Sequence, residues 1–162
     1  MYKQALALLL FFITVFSLWS CKSEPSFYHA EMVIPLPDEY SITENSDFDK
    51  TFTNGESAVA VLRISFAAAI NEGIPDTFGA DEFALLWLIK NDREAQMQVK
   101  DGVDFCEYYE NVLGVEYYYL AAFYRSHHAY FVVLFTTNRA KEEAYRVKFI
   151  EYATEIYFKD GI

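Results

Sequence analysis

The stretch that decides the fold is residues 115–137, which read VEYYYLAAFYRSHHAYFVVLFTT. Residues 117–124 and 129–135 are almost wholly apolar, and a polar turn at 125–128 separates them. A strand that is apolar on both faces belongs in the middle of a sheet, with further layers packed on each side. We therefore predict a hairpin of two long central strands that is covered on both faces.

We predict that two further hairpins extend this sheet. The turn in KTFTNGESAVAVLRISF (50–66) is Asn54-Gly55, and the turn in AQMQVKDGVDFCEYYE (95–110) is Asp101-Gly102. Both pairs favour two-residue hairpin turns, because these residue types tolerate positive φ angles. Hairpins join neighbouring strands that run in opposite directions, so the sheet is expected to be antiparallel.

A first helix is predicted at FALLWLI (83–89). It follows Asp81 and Glu82, whose negative charges suit a helix N-terminus, and its Leu and Ala content favours helix over strand. Because the segment is apolar on every side, we expect other parts of the protein to cover it well.

A second helix is predicted over 138–158, with Thr137 or Asn138 as its N-cap. Its broad apolar face suits packing on a sheet. That face has two rows, one with Ala140, Ala144, Val147, Ile150, Ala153 and Tyr157, the other with Tyr145, Phe149, Tyr152 and Ile156. Glu142–Arg146 and Glu155–Lys159 are favourable pairs on the solvent side. These elements predict an α+β fold, an antiparallel β-sheet flanked by helices.

The N-terminal segment predicts export. Lys3 precedes ALALLLFFITVFSLW (5–19), a run of 15 uncharged residues that would rise about 22 Å as a helix, short of the roughly 30 Å of a hydrocarbon core. The residues at the end of this run, Leu18 to Cys21, resemble the lipobox of bacterial lipoproteins, in which the cysteine carries lipid. An ordinary cleaved signal and an uncleaved anchor are the alternatives.

This interpretation divides the chain into a signal peptide at 1–20, a lipidated Cys21 with a tether at 21–26, and one α+β domain at 27–162. We expect the domain to be held at the bacterial cell envelope by a lipid anchor in the membrane. Lys22, rather than aspartate, follows the cysteine, and by resemblance to known sorting rules this favours the outer membrane.

Charge limits the possible partners. Lys3 is the only charged residue of the leader, so the mature chain has 12 basic and 24 acidic residues and a net charge of −12. The excess lies before residue 117. Nucleic acids are therefore not expected as partners, because their phosphates require Lys and Arg. A basic protein partner is possible, and the excess charge also serves solubility.

No catalytic or metal-binding motif is recognisable. With Cys21 lipidated, Cys106 has no disulfide partner, and its apolar surroundings predict a buried side chain. His29, His127 and His128 lack the ligand spacing of a zinc site. We expect no enzyme activity, no cofactor and no metal.

The aromatic segment 106–124 supplies a candidate binding surface. One interpretation is that its tyrosines all pack under the helices. The alternative is an acidic, aromatic surface that binds a protein, for which tyrosine is well suited. That surface would consist of Tyr109, Tyr118, Glu107, Glu110 and Glu116.

The order of elements resembles PsbP/Mog-like domains. IPLPDEY (34–40) resembles their opening motif, and Phe149, Tyr152, Ala153, Ile156 and Phe158 resemble their closing helix. The resemblance implies an α/β/α sandwich and a non-enzymatic role such as an accessory subunit, an envelope lipoprotein or a chaperone. We expect a module that binds another envelope protein or assists an assembly. The alternatives are a module with a small apolar pocket between helix 80–91 and the sheet, or an immunity-type inhibitor of a basic toxin.

Overall fold

The computed structural model describes residues 27–29, 32–45 and 47–159. The predicted signal peptide, Cys21 and the tether at 21–26 lie outside the described residues. Within those ranges no helix has the length and hydropathy to cross a membrane. The elements follow in this order: β1 (Phe27–His29), β2 (Met32–Ile34), β3 (Ser41–Thr43), β4 (Lys50–Thr53), β5 (Ser57–Ser65), α1 (Phe66–Asn71), α2 (Ala80–Lys90), β6 (Met97–Lys100), β7 (Val103–Val112), β8 (Val115–Arg125), β9 (Ala129–Asn138), a 3-10 turn (Arg139–Lys141), α3 (Glu142–Glu155) and β10 (Tyr157–Phe158).

A seven-stranded antiparallel sheet organises the chain, in the order β3-β4-β5-β9-β8-β7-β6. The predicted central hairpin is confirmed: β8 pairs with β9 from Tyr117 opposite Asn138 to Arg125 opposite Tyr130. Its strands are buried because β5 and β7 flank them and side chains cover both faces. A second sheet of three short strands, β1-β2-β10, is not hydrogen-bonded to the large one but packs into the same core through Met32 and Ile34 of β2.

Each face of the large sheet carries its own apolar core. On one face, α3 contributes Phe149 to a cluster that also includes Tyr118, Phe135 and Met32 of β2. On the other, α1 and α2 pack over a second cluster, in which Phe83 of α2 is fully buried. The predicted α+β class and the sandwich of helices around an antiparallel sheet are confirmed.

The expectation that α2 is well covered was wrong. Phe83, Ala84 and Leu88 are buried against the sheet, but Leu85 is 53% exposed and Ile89 is 71% exposed. The helix is the outermost layer on this side in the described part of the chain, so only its inner face is buried. Its outer side chains meet solvent although they are apolar.

The closing helix is shorter than predicted. It ends at Glu155, Ile156 is extended, and β10 then pairs with β2. The buried residues of the helix are Tyr145, Phe149 and Ala153. They are four residues apart, so they lie on one side of the helix and face the same neighbour. Four members of the other predicted row face solvent instead: Ala140, Ala144, Val147 and Tyr157.

Two details at the ends of this helix and one ion pair on its side also differ from the prediction. Asn138 accepts a hydrogen bond from the Ala140 amide and so caps the 3-10 turn that precedes α3. Lys159 lies beyond the helix, after β10. Arg146 reaches across to the sheet, where it pairs with Glu107 rather than with Glu142.

Three of the tight hairpin turns contain residues with a positive φ angle. Asp101-Gly102 turns as predicted, with φ of 51° and 81°. The other predicted turn is displaced by one residue: the amide of Asn54 donates to the carbonyl of Ser57 at 3.2 Å, and Gly55 has the positive φ. Leu113-Gly114 makes the third turn, between β7 and β8, with φ of 52° and 84°.

Candidate functional site

The five residues of the predicted surface do not lie together. Successive residues of a strand point to opposite faces. On β7 and β8, this places Glu107, Tyr109, Glu116 and Tyr118 on the face that carries α3. Glu110 lies on the opposite face, where both carboxylate oxygens accept from Arg93 at 3.0 Å.

Tyr118 is fully buried and contributes no surface. Its ring stacks on Phe149 with centroids 6.3 Å apart, and its hydroxyl donates to Glu107 at 2.7 Å. Burial raises the pKa of Tyr118, and the hydrogen bond to Glu107 adds to this effect. The side chain therefore fixes the position of Glu107 instead of meeting a partner.

Glu107 joins α3 to the sheet. Arg146 of α3 donates to both of its carboxylate oxygens, and Gln98 of β6 donates at 3.0 Å. Burial alone would raise the pKa of Glu107, but hydrogen bonds from Arg146, Tyr118 and Gln98 outweigh it and lower the pKa. A carboxylate with this many donors is a structural anchor that stays ionised at neutral pH.

Tyr109 is the exposed member of the set, at 45%. Arg139 lies over its ring, 4.4 Å from the centroid, and its hydroxyl donates to Glu142 at 2.8 Å. The same Arg139 forms an ion pair with Glu116. We call these four residues, Tyr109, Glu116, Arg139 and Glu142, the Tyr109 patch. They form an ordered, exposed surface of one aromatic ring and three charges.

The arginines of this region were missed by the sequence prediction. Arg139 and Arg146 come from the closing segment, more than twenty residues after the tyrosines in the chain. The spacing of Arg146 suggested a pair with Glu142 within one helix. The structure shows instead that Arg139, in the 3-10 turn, contacts Tyr109 of β7 and Glu116 of β8. Arg146 of α3 contacts Glu107 of β7.

A second polar cluster, on the turn after β4, also holds α3. Tyr145 donates to Glu56 at 3.1 Å and accepts from Asn54 at 3.3 Å, and Lys141 forms an ion pair with Glu56 at 2.6 Å. The hydrogen bond from Lys141 is the largest influence that lowers the pKa of Glu56. These polar groups form hydrogen bonds and an ion pair with one another, and they hold the turn against α3.

The remaining reactive side chains occupy unremarkable positions. Cys106 is fully buried on the α2 face, as predicted, and burial raises the pKa of its thiol to about 12. A thiol in that state is a poor nucleophile, because the thiolate is the reactive form. His127 and His128 are exposed in the turn between β8 and β9. Among the described residues, no three His, Cys, Asp or Glu side chains cluster as a metal site would require.

Side chains fill the interface between α2 and the sheet, where a ligand pocket was an alternative. Phe83 stacks on Tyr130 with centroids 4.4 Å apart, and it meets Phe123 edge-on at 6.2 Å. Trp87 meets Phe123 edge-on at 5.5 Å. This packing favours a solid core over a small-molecule site.

A comparison with solved structures relates the fold to a known one. The chain is similar to cyanobacterial PsbP (CyanoP) from Synechocystis sp. PCC 6803, seen in a solution structure, with a TM-score of 0.60. The match covers 87% of this chain and 98% of that one, at 13% sequence identity. No model of a protein family matches the sequence, and no curated protein does. At this identity the similarity shows a PsbP-like fold.

Proposed function

We propose that the protein is a non-catalytic, lipid-anchored envelope protein whose domain binds another protein or assists an assembly. The observation that carries the binding role is the Tyr109 patch. An exposed tyrosine held between Arg139 and Glu142 presents the residue types that dominate protein interfaces. The PsbP-like fold agrees with this role, because the resemblance implies accessory and binding functions.

The patch is suited to binding because it is already ordered. The ring of Tyr109 is positioned by a cation–π contact and its hydroxyl by a hydrogen bond. A partner that covers it would lose little side-chain entropy in doing so. Glu116 is paired with Arg139, so the patch itself does not require a basic partner. A toxin inhibitor that acts through its acidic charge is correspondingly less favoured.

The anchoring part of the proposal rests on the sequence. The apolar run is too short to span a bilayer in a straight helix, and the Leu18–Cys21 motif would place lipid on Cys21. Five residues after the cysteine extend at most about 17 Å, which would keep the domain and its partner close to the membrane surface.

Anchoring is tested by comparing the native chain with Cys21→Ser. Mass analysis of the native protein should show a lipidated N-terminal cysteine, and fractionation should show the Cys21→Ser variant lost from membranes. An intact leader or an unmodified thiol at Cys21 would contradict the proposal.

Binding is tested by crosslinking in intact cells, with Tyr109→Ala set against the control Tyr157→Ala. Both tyrosines are about half exposed, but Tyr157 lies on β10, away from the patch. We expect a crosslinked protein, identified by mass spectrometry, that is lost with Tyr109→Ala and kept with Tyr157→Ala. Equal recovery from both variants would show that the patch does not bind it.

A further inference from the structure

The turn between β7 and β8 has a residue that its backbone disfavours. Leu113 has φ of 52°, in the left-handed region, where Gly, Asn and Asp are the usual residues. The turn Asp101-Gly102 has almost the same two φ angles and follows the usual preference. Leucine at position 113 therefore strains a turn that a polar residue would stabilise.

Leu113 also contributes little to packing. Its side chain is 84% exposed, the highest fraction among the large apolar residues that the structure describes as exposed. Val115, two residues later, is 39% exposed. An apolar side chain that is both strained and solvated has no folding role that explains it, which points to a binding role.

The hairpin tip, residues 112–115, is hydrogen-bonded to its own stem and locally neutral. The side chain of Asn111 accepts from the Gly114 amide at 3.0 Å, which fixes the shape of the turn. Below the tip, Glu116 pairs with Arg139 on one face and Glu110 pairs with Arg93 on the other. The carboxylates next to the tip are thus neutralised, although the chain as a whole has a net charge of −11.

This arrangement fits a protein partner better than a lipid surface. An apolar centre inside a rim of satisfied polar groups is the anatomy of a protein–protein hot spot. A lipid surface fits less well, because attraction to anionic membranes needs unpaired Lys or Arg and this domain is acidic. The tip adjoins the Tyr109 patch through Glu116, so both would meet the same partner.

We infer that the hairpin tip inserts Leu113 into a leucine-sized apolar pocket of a partner protein, with the Arg139–Glu116 pair at the rim. The inference rests on the proposed binding function and specifies its anchor residue. It explains why the strain at position 113 is retained: the side chain that destabilises the turn is the one that the partner receives.

The first experiment separates folding from binding. In the purified protein, Leu113→Asn relieves the left-handed strain and should raise the melting temperature by about 2–4 °C. The reciprocal change in the matched turn, Asp101→Leu, should lower it by a similar amount. A melting temperature that falls with Leu113→Asn would overturn the inference, because Leu113 would then serve the fold.

The second experiment detects the partner. The full chain, with p-benzoylphenylalanine in place of Val115, is irradiated in cells of the organism that produces it. The control carries the same probe in place of Val99, which is 69% exposed on the edge strand β6. We expect a protein adduct from position 115, absent from position 99, that Leu113→Asn reduces by about tenfold or more.

The other outcomes contradict the inference. A lipid adduct, an adduct with a second copy of the chain, no adduct, or an adduct that Leu113→Asn leaves unchanged would each remove the tip as a protein-binding anchor. If the adduct is insensitive to Leu113→Asn but lost with Tyr109→Ala, the proposed function stands and only the role of Leu113 fails. Loss of binding in a variant with raised stability supports the inference directly.

Discussion

The two faces of the large sheet are covered by different means. On one, α3 buries Phe149 and is also fastened by polar side chains, through Arg146 to Glu107 and through Tyr145 to Glu56. On the other, α2 is held to the sheet by apolar and aromatic side chains such as Phe83. The polar contacts of α2 itself run to its own start and, from Lys90, to Glu72 at the end of α1. The ion pair that reaches the sheet on this side, from Arg93 to Glu110, starts in the loop after α2.

The two helices are therefore positioned by different kinds of interaction. Apolar packing is non-directional, so it constrains the register of α2 on the sheet less strictly than hydrogen bonds would. Charge-assisted hydrogen bonds are directional and lock α3 in place. The surface that we propose for binding lies on the α3 side, where residues of both the helix and the sheet must be held in register.

Removal of one buried ring from each face has the largest expected effect. Phe149→Ala and Phe83→Ala should each lower the free energy of unfolding by about 3–5 kcal/mol, since both rings are fully buried. Urea unfolding measures the two losses. A loss from Phe83→Ala of less than half that from Phe149→Ala would show that α2 is only loosely attached and that the two faces do not contribute equally to stability.

The polar contacts between α3 and the sheet predict a smaller loss of stability, and this loss depends on pH. Glu107→Gln should lower the free energy of unfolding at pH 7 by about 1–3 kcal/mol, because Arg146 loses its charged partner. Folding lowers the pKa of Glu107 from its ordinary 4.5. Its ionised form therefore stabilises the protein above about pH 4.5, and this stabilisation disappears as the pH falls through the lowered pKa.

Stability of the wild type and Glu107→Gln should thus converge in acid. Urea unfolding from pH 7 to pH 2 measures this, with Glu143→Gln, a change at an exposed position in the first turn of α3, as the control. Hydrogen exchange should show faster exchange of α3 in the Glu107→Gln variant and an unchanged α2. A constant difference at every pH would contradict the account.

Much of the fold follows from local patterns in the sequence. The apolar runs at 117–124 and 129–135 predict central strands, and Asp101-Gly102 predicts its turn, because both signals depend on residues close together in the chain. The end of α3 was not predictable in the same way. The apolar pattern continues through residue 158, and only pairing with β2 draws Tyr157 and Phe158 out of the helix.

The candidate site was less predictable, for reasons that differ among its residues. The strand period of two already places Glu110 on the opposite face from Tyr109, so this separation was available from the sequence. The contacts of Tyr109 with Arg139 and Glu142 were not, because they depend on how α3 lies on the sheet. Leu113-Gly114 lacks the polar residue that marks a hairpin turn, so the tip was also overlooked.

A still smaller change tests whether the Tyr109 patch is needed for folding. Tyr109→Phe removes the hydroxyl that donates to Glu142 and keeps the ring under Arg139. Because the site is exposed to solvent, the free energy of unfolding should fall by no more than about 0.5–1 kcal/mol. Urea unfolding provides the value. A loss above 2 kcal/mol would show that Tyr109 is one of the polar contacts that hold α3 on the sheet. It would weaken the case for Tyr109 as a binding residue.

The smallest effect is expected on the outer surface of α2. Ile89→Lys replaces an apolar side chain that faces solvent in the last turn of the helix. A positive charge there interacts favourably with the helix dipole. Lysine also has the better helix propensity, so the free energy of unfolding should change by less than about 0.5 kcal/mol. Leu88→Ala, one residue earlier but buried, should cost about 2–4 kcal/mol by the same measurement. If Ile89→Lys were as costly as Leu88→Ala, another part of the protein would have to cover the outer face of α2. The helix would then be buried on both faces and not only against the sheet.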